Sequence, residues 1–241
     1  MSAALTSFVE ALRTFASDEQ AQVLRRFFKT GKGDYGEGDC FLGIKVPHVR
    51  SVVKRLGGGL SIADVKRLIH SRYHEERLAG LLVLCKRYCT ARSEAEQKKM
   101  VELYQGHYPF INNWDLVDLT CPTIIGDWYF THAKAYLFEL ARQGRTIWEK
   151  RIAIVSTLTF IRRGDLSTTL ELAQILMGEE HDLLHKAVGW LLREVGKRDE
   201  ARLKAFLVVN GPRLSRTTLR AAIERFPIAQ RQYYLKSIKK I

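Results

Sequence analysis

The chain has 241 residues, with 39 lysines and arginines against 26 aspartates and glutamates, and a formal net charge of +13. A hydrophobic fraction of 46% beside 27% charged residues excludes a disordered basic tail and a low-complexity fibre. The positive charge favours a polyanionic partner, either nucleic acid or an anionic membrane surface. The alternative is a basic globular protein without such a partner.

The N-terminal segment, residues 1–16, predicts an amphipathic helix. It has no basic stretch before its apolar residues and carries Glu10, so it does not resemble a secretory signal. The longest apolar run, residues 78–85, is far shorter than the roughly 20 residues that span a bilayer, and we interpret it as a core helix. The cysteines are too few and scattered for a disulfide framework, so we expect a reduced, intracellular (cytoplasmic) protein.

Helical periodicity runs through almost the whole chain, whereas alternating strand patterns and hairpin signals are missing from the sequence. Ser61 followed by Asp64 is typical of a helix start, and Pro47 fits a first helical turn. We therefore predict an all-α protein, a single domain over residues 1–241, with helices near 3–16, 19–29, 47–56, 62–70, 74–90, 93–106, 112–120, 126–142, 146–162, 167–177, 182–196, 199–209, 215–225 and 228–238.

One long irregular stretch, residues 30–46, contains five glycines, and we expect a structured loop there. It neither follows a strand nor contains the Gly-Lys-Ser/Thr ending of a phosphate loop, which excludes that motif. From about residue 61 the predicted helices come in pairs that recur every 35 to 40 residues. Because such pairs bury one face only by stacking, we predict a HEAT-like helical-repeat superhelix, an α-solenoid, with a concave basic cleft wide enough for a duplex.

Three tryptophan-containing segments are candidate sites. Trp114 and Asp118 are four residues apart and share a helical face, with Leu116 and Val117 between them expected to face the core. Trp148 lies within one turn of a cation, and Trp190 lies on a long helix directly after a glycine. The alternative for each tryptophan is packing within the core or between helices.

Several segments together resemble the AlkD family of alkylpurine DNA glycosylases. The resemblance runs in order over roughly residues 25–200. Its matching segments are Phe-Leu-Gly-Ile-Lys-Val-Pro at 41–47, Asn-Trp-Asp-Leu-Val-Asp at 113–118, Pro-Thr at 122–123, Gly-Asp at 126–127, Ile-Trp at 147–148 with Arg151, and Lys-Ala-Val-Gly-Trp-Leu-Leu-Arg-Glu at 186–194.

The resemblance implies a monofunctional glycosylase that holds duplex DNA in a concave cleft, removes cationic N3- and N7-alkylated purines without base flipping, and leaves an abasic site. It places the catalytic aspartate at Asp118, the two cleft tryptophans at Trp114 and Trp190, and a phosphate-binding arginine at Arg151. No cofactor is implied.

The chemistry of the residues agrees with these roles. An alkylated purine is already cationic and leaves readily, so the remaining task is to stabilise positive charge on the deoxyribose, which a carboxylate such as Asp118 does. We expect the surrounding positive field to keep that carboxylate ionised at neutral pH. Indole faces attract cations, and an arginine fork binds a phosphate.

Other basic or aromatic residues are candidate DNA contacts. Arg162 and Arg163 close the helix after Arg151, although the helix dipole also favours cations there. Arg193 follows Trp190, and Tyr35 lies in the glycine-rich loop. A C-terminal set is predicted to contact phosphates non-specifically, or else to form a solvated cap: Arg213, Arg216, Arg220, Arg225, Arg231, Lys236, Lys239 and Lys240.

Two apparent metal motifs are interpreted as something else. His181 and His185 imitate a zinc-protease helix but lack its glutamate and a third ligand, and Cys85 and Cys89 lack the tight spacing of zinc ribbons. We expect no metal, no membrane association, a monomer, and alkylated duplex DNA as the partner. Two rival interpretations remain: a non-catalytic HEAT-repeat scaffold that binds DNA or RNA, and a repeat scaffold that binds protein.

Overall fold

The computed structural model describes residues 2–238, and its regular secondary structure is helical, which confirms the all-α class. Among those residues the β contacts amount to one isolated bridge, between Cys40 and Tyr73. The chain forms two compact units, Met1–Thr120 and Cys121–Ile241. The single domain expected over residues 1–241 stays a prediction.

The first unit consists of helices joined by short turns and by the glycine-rich loop. Its helices are α1 (Ala3–Arg13), α2 (Asp18–Phe27), α3 (Val46–Leu56), α4 (Ile62–Ile69), α5 (His74–Thr90), α6 (Glu94–Gln105) and α7 (Trp114–Asp118), with short 3-10 turns at Gly57–Gly59 and Tyr108–Phe110. Ser61 and Asp64 form the capping box expected at the start of α4. The apolar run at 78–85 is buried along its whole length in α5, as predicted.

The second unit begins with a π-helical turn at Pro122–Gly126. It continues with α8 (Asp127–Thr131), α9 (Ala135–Gln143), α10 (Ile147–Arg162), α11 (Ser167–Leu176), α12 (Asp182–Arg198), α13 (Glu200–Asn210), a 3-10 turn at Gly211–Arg213, α14 (Arg216–Ala222) and α15 (Ile228–Ser237).

Helix packing within each unit follows a repeating pattern. In the first unit α5 packs on its neighbours α4 and α6, and also on α3 and α7. In the second unit α12 packs on α11 and α13, and also on α10 and α14. A helix that contacts both its neighbour and the next helix but one is the arrangement of stacked helical pairs.

Two predicted helix boundaries are wrong. The helix expected over 126–142 is interrupted at His132, whose backbone is extended (φ −114°, ψ −176°) and whose ring stacks on Trp128 at 3.7 Å. The ring nitrogen Nδ1 also donates to the Trp128 carbonyl at 2.8 Å, which accepts the His132 backbone N–H as well, at 3.2 Å. The helix expected over 112–120 is only the five residues of α7.

Candidate active site

The short helix α7 carries two of the predicted site residues, Trp114 and Asp118. Asn113 caps it, because the side-chain oxygen of Asn113 accepts a hydrogen bond from the Trp114 backbone N–H at 2.8 Å. Leu116 and Val117 are fully buried, as predicted, while Trp114 and Asp118 are half-buried. The helix therefore anchors itself through its middle and presents a tryptophan at one end and a carboxylate at the other.

Trp114 is fixed by aromatic neighbours. Its ring stacks on Phe28 with centroids 5.0 Å apart and an interplanar angle of 22°, and meets Phe27 edge-on at 5.7 Å. Phe28 in turn stacks on Phe41, and both are buried. Such aromatic pairs stabilise beyond their buried area, so the indole is held in one orientation with part of its surface exposed.

Behind α7 lies a buried charged network centred on His74, which is 2% exposed. Its Nδ1 lies 2.9 Å from the Asp39 carboxylate, and its Nε2 lies 2.8 Å from the Asp115 carboxylate. Arg77 donates to the other Asp39 oxygen at 2.7 Å and to the Asn112 side chain at 3.2 Å. Two carboxylates thus face two cations inside the first unit.

The network stabilises the charged forms of His74 and Asp39, as the shifts in their pKa values indicate. Burial by itself lowers the pKa of His74, but the charges and hydrogen bonds of Asp115 and Asp39 outweigh it and raise that pKa to about 9. Burial likewise opposes ionisation of Asp39, yet His74 and Arg77 hold the pKa of Asp39 below its ordinary value. Since carboxylates only accept, both ring nitrogens of His74 donate, and the ring is an imidazolium at neutral pH.

The glycine-rich loop is ordered by the next residue of α5, Glu75. Its buried carboxylate accepts hydrogen bonds from the backbone N–H groups of Leu42, Gly43 and Ile44 at 2.8 to 3.0 Å. Gly43 has φ of 80°, and a Cβ there would lie 2.1 Å from the Ser17 carbonyl oxygen, so this position needs glycine. The loop is structured, as expected, and the 41–47 motif has a structural reason.

In the second unit, Arg151 is 5% exposed, and its guanidinium donates to the backbone carbonyl of Leu183. This contact ties α10 to the start of α12. The phosphate-binding role of Arg151 stays a prediction, and its burial leaves little guanidinium surface for a phosphate.

Trp190 is half-buried on α12, next to a close helix contact. A Cβ on Gly189 would lie 2.6 Å from the Ala221 Cβ and 2.7 Å from the Thr218 carbonyl oxygen, so α12 and α14 approach closely because residue 189 is glycine. Arg193, one turn further, forms an ion pair with Glu224, just after the end of α14, and lies 3.7 Å from the Glu194 carboxylate.

The remaining candidate DNA contacts differ in whether their side chains already bond to other protein groups. Arg162 is exposed at the end of α10. Arg163 is exposed too, but it pairs with Asp127 and lies over the Phe130 ring at 4.8 Å. The Tyr35 hydroxyl donates a long hydrogen bond, 3.5 Å, to the Phe27 carbonyl.

The C-terminal cations are exposed on or beside α14 and α15 as far as the structure describes them: Arg213, Arg216, Arg220, Arg225, Arg231 and Lys236. Lys239 and Lys240 lie outside the described residues.

The apparent metal motifs are engaged with protein atoms. His181 caps α12, with its Nδ1 accepting from the Leu183 backbone N–H at 3.2 Å, and His185 Nε2 donates to the Glu179 carbonyl at 2.6 Å. Cys85 is buried, which raises the pKa of its thiol, whereas Cys89 is exposed.

Sequence reasoning missed the network residues His74, Glu75 and Arg77. A signal was present, because α5 opens with four ionisable residues in a row, His74–Arg77, directly before the apolar run at 78–85. All four side chains are buried, although charged residues in the first turn of a helix are usually exposed.

Comparison with known proteins identifies the family to which this chain belongs. The fold matches that of a protein described as a predicted DNA alkylation repair enzyme from Enterococcus faecalis, with a TM-score of 0.70, 18% identity, and coverage of 88% of this chain and 97% of that one. The family model of DNA alkylation repair enzymes matches residues 8–226. The chain therefore belongs to the DNA alkylation repair enzyme family, within which the AlkD-like proteins fall.

No curated protein sequence matches this chain. No helix among residues 2–238 is long and apolar enough to cross a bilayer.

Proposed function

We propose that the protein is a monofunctional DNA glycosylase that hydrolyses the N-glycosidic bond of cationic N3- and N7-alkylated purines in duplex DNA and leaves an abasic site. Membership of the family supports a role in the repair of alkylation damage. The observation that carries the finer proposal is the anchored helix α7, which presents Trp114 and Asp118 on a rigid support.

Asp118 is the catalytic residue in this proposal. As the glycosidic bond breaks, its electron pair leaves on the purine nitrogen and neutralises the base, while positive charge develops at C1′ of the deoxyribose. The Asp118 carboxylate stabilises that charge, and water adds to C1′ and gives up a proton. Because the leaving base is already cationic, no strong general acid is required.

The tryptophans and arginines bind the damaged duplex. Trp114 and Trp190 offer indole faces to the cationic nucleotide and its backbone, and Arg151 contacts a phosphate once its guanidinium leaves the Leu183 carbonyl. Arg162, Arg163, Arg193, Tyr35 and the basic C-terminal segment add phosphate contacts. As the resemblance to the AlkD family implies, the enzyme acts on the lesion within the duplex. It thereby avoids the unstacking cost that most glycosylases incur when they flip the base into a pocket.

A non-catalytic scaffold that binds DNA or RNA is the second candidate. It is favoured by the exposed cations on and beside α14 and α15, which can contact phosphates without any catalytic group. A scaffold of this kind binds duplex DNA in a salt-dependent manner and releases no base.

Product analysis separates the two. The protein is incubated with a duplex containing one 7-methylguanine, and in parallel with a duplex containing hypoxanthine, a neutral lesion. We expect free 7-methylguanine and an abasic site in an uncut strand, and no release of hypoxanthine. Salt-dependent binding without base release identifies a scaffold. Release of hypoxanthine as fast as 7-methylguanine would contradict the proposal that catalysis depends on a cationic leaving group.

A further inference from the structure

The network around His74 joins α7 to the rest of the first unit by two routes. One route is polar: His74 Nε2 holds one Asp115 oxygen at 2.8 Å, and the other oxygen accepts from the Leu116 backbone N–H at 2.8 Å, inside α7. The other route is aromatic: the His74 ring lies 5.1 Å from Phe28, which also stacks on Trp114. One side chain thus contacts both the Asp115 carboxylate of α7 and the aromatic support of its tryptophan.

A helix as short as α7 depends on such contacts. Five residues are far fewer than the roughly 12 to 15 that an isolated helix needs, so the direction of α7 is set by what it packs against. Asp118 is its last residue and follows Asp115 by less than one turn. A change in the direction of the helix therefore moves the carboxylate and the indole together.

The charged groups around His74 come from three elements: the glycine-rich loop, α7 and α5. Asp39 faces it from the glycine-rich loop, Asp115 from α7, and Arg77 of its own helix contacts it through Asp39. Its ring faces meet Phe28 and Phe41. Without the imidazolium, two buried carboxylates face one guanidinium, and Asp115 loses its fixed donor.

We propose that His74 is a positioning residue of the active site: held between Asp39 and Asp115, it sets the direction of α7 and so the placement of Trp114 and Asp118. The expected effect on base release rests on the proposed function. The expected effect on the placement of Trp114 does not depend on any reaction.

The test uses the full-length protein labelled with 5-fluorotryptophan, in which the fluorine resonance of Trp114 is assigned through Trp114→Phe. We expect His74→Gln to shift that resonance and to slow base release by about 10-fold to 100-fold, as misplacement of a catalytic group does. DNA affinity is expected to change much less. His107→Gln is the matched control, a histidine 9% exposed in the same unit, whose ring bonds to the Leu103 carbonyl of the preceding helix α6.

Two further measurements keep the test decisive. Asp115→Asn, which keeps the shape of the side chain, is expected to shift the same resonance. In the wild type, that resonance is expected to change as pH rises through about 9, where His74 loses its proton. The positioning role is overturned if the Trp114 resonance stays unchanged in His74→Gln, in Asp115→Asn and across this pH change. If the wild type releases no base, the glycosylase proposal fails, and the Trp114 signal still decides the positioning.

Discussion

The two units hold their candidate residues by different physical means. In the first unit, Trp114 and Asp118 lie on a five-residue helix fixed by a buried network of two carboxylates and two cations. In the second unit, Trp190 lies on the 17-residue helix α12, fixed by apolar burial and by close approach of α14 at Gly189. The first arrangement is sensitive to charge and pH, and the second to side-chain volume.

The largest effect on stability is expected from Asp39→Asn. This change leaves His74 and Arg77 facing one carboxylate inside the first unit, and loss of one partner from a buried ion network costs about 3 to 5 kcal/mol. Urea denaturation measures the free energy of unfolding. The matched control is Glu102→Gln, which removes an exposed pair with Lys98 at 3.8 Å and should cost less than about 1 kcal/mol. Equal losses for the two variants would contradict the stabilisation assigned to the buried network of the first unit.

The pH dependence of stability should show the same network. The pKa of His74 is about 9 in the folded protein and 6.5 ordinarily, so the unfolded chain binds fewer protons between these values. The stabilisation is fully present below pH 6.5 and is lost as pH rises through 9, amounting to about 3 kcal/mol. Denaturation midpoints across this range should fall in the wild type and stay flatter in His74→Gln. Parallel pH profiles would contradict the charged state of His74.

In the second unit, stability is expected to depend on side-chain volume where α12 and α14 meet. Gly189→Ala places a methyl group 2.6 Å from the Ala221 Cβ and 2.7 Å from a backbone oxygen, so α12 and α14 must separate, at a cost of about 1 to 3 kcal/mol. Gly178→Ala, where nothing lies within 4 Å, serves as the control and should be within about 0.5 kcal/mol of the wild type. Neither cost should vary between pH 6.5 and 9.

The smallest effect concerns neighbouring arginines at the end of α10. Arg162 is exposed, whereas Arg163 pairs with Asp127 and lies over Phe130. We expect Arg162→Gln to reduce the salt dependence of duplex binding by about one phosphate contact, and Arg163→Gln to reduce it less. Titrations of a labelled duplex at several salt concentrations measure the slope. The reverse ranking would show that the Asp127 pair opens on DNA.

Local pattern was enough to predict most helices and the partly exposed face of α7, because the spacing of Trp114, Leu116, Val117 and Asp118 is a property of one helix. It was not enough for the contacts that hold that helix. Asp39 and His74 are separated by 35 positions and His74 and Asp115 by 41, so no helical periodicity joins them. The break at His132 was missed as well, although the stack that accompanies it joins residues only four positions apart, Trp128 and His132.

The most direct test of the catalytic claim is single-turnover release of 7-methylguanine from duplex DNA by the wild type and by Asp118→Asn, with the protein in excess so that all DNA is bound. Removal of one group that stabilises developing charge lowers a rate by about 100-fold or more. The account predicts that loss for Asp118→Asn, with the affinity for the duplex retained. Equal rates for the two proteins, or no free base from the wild type, would contradict it.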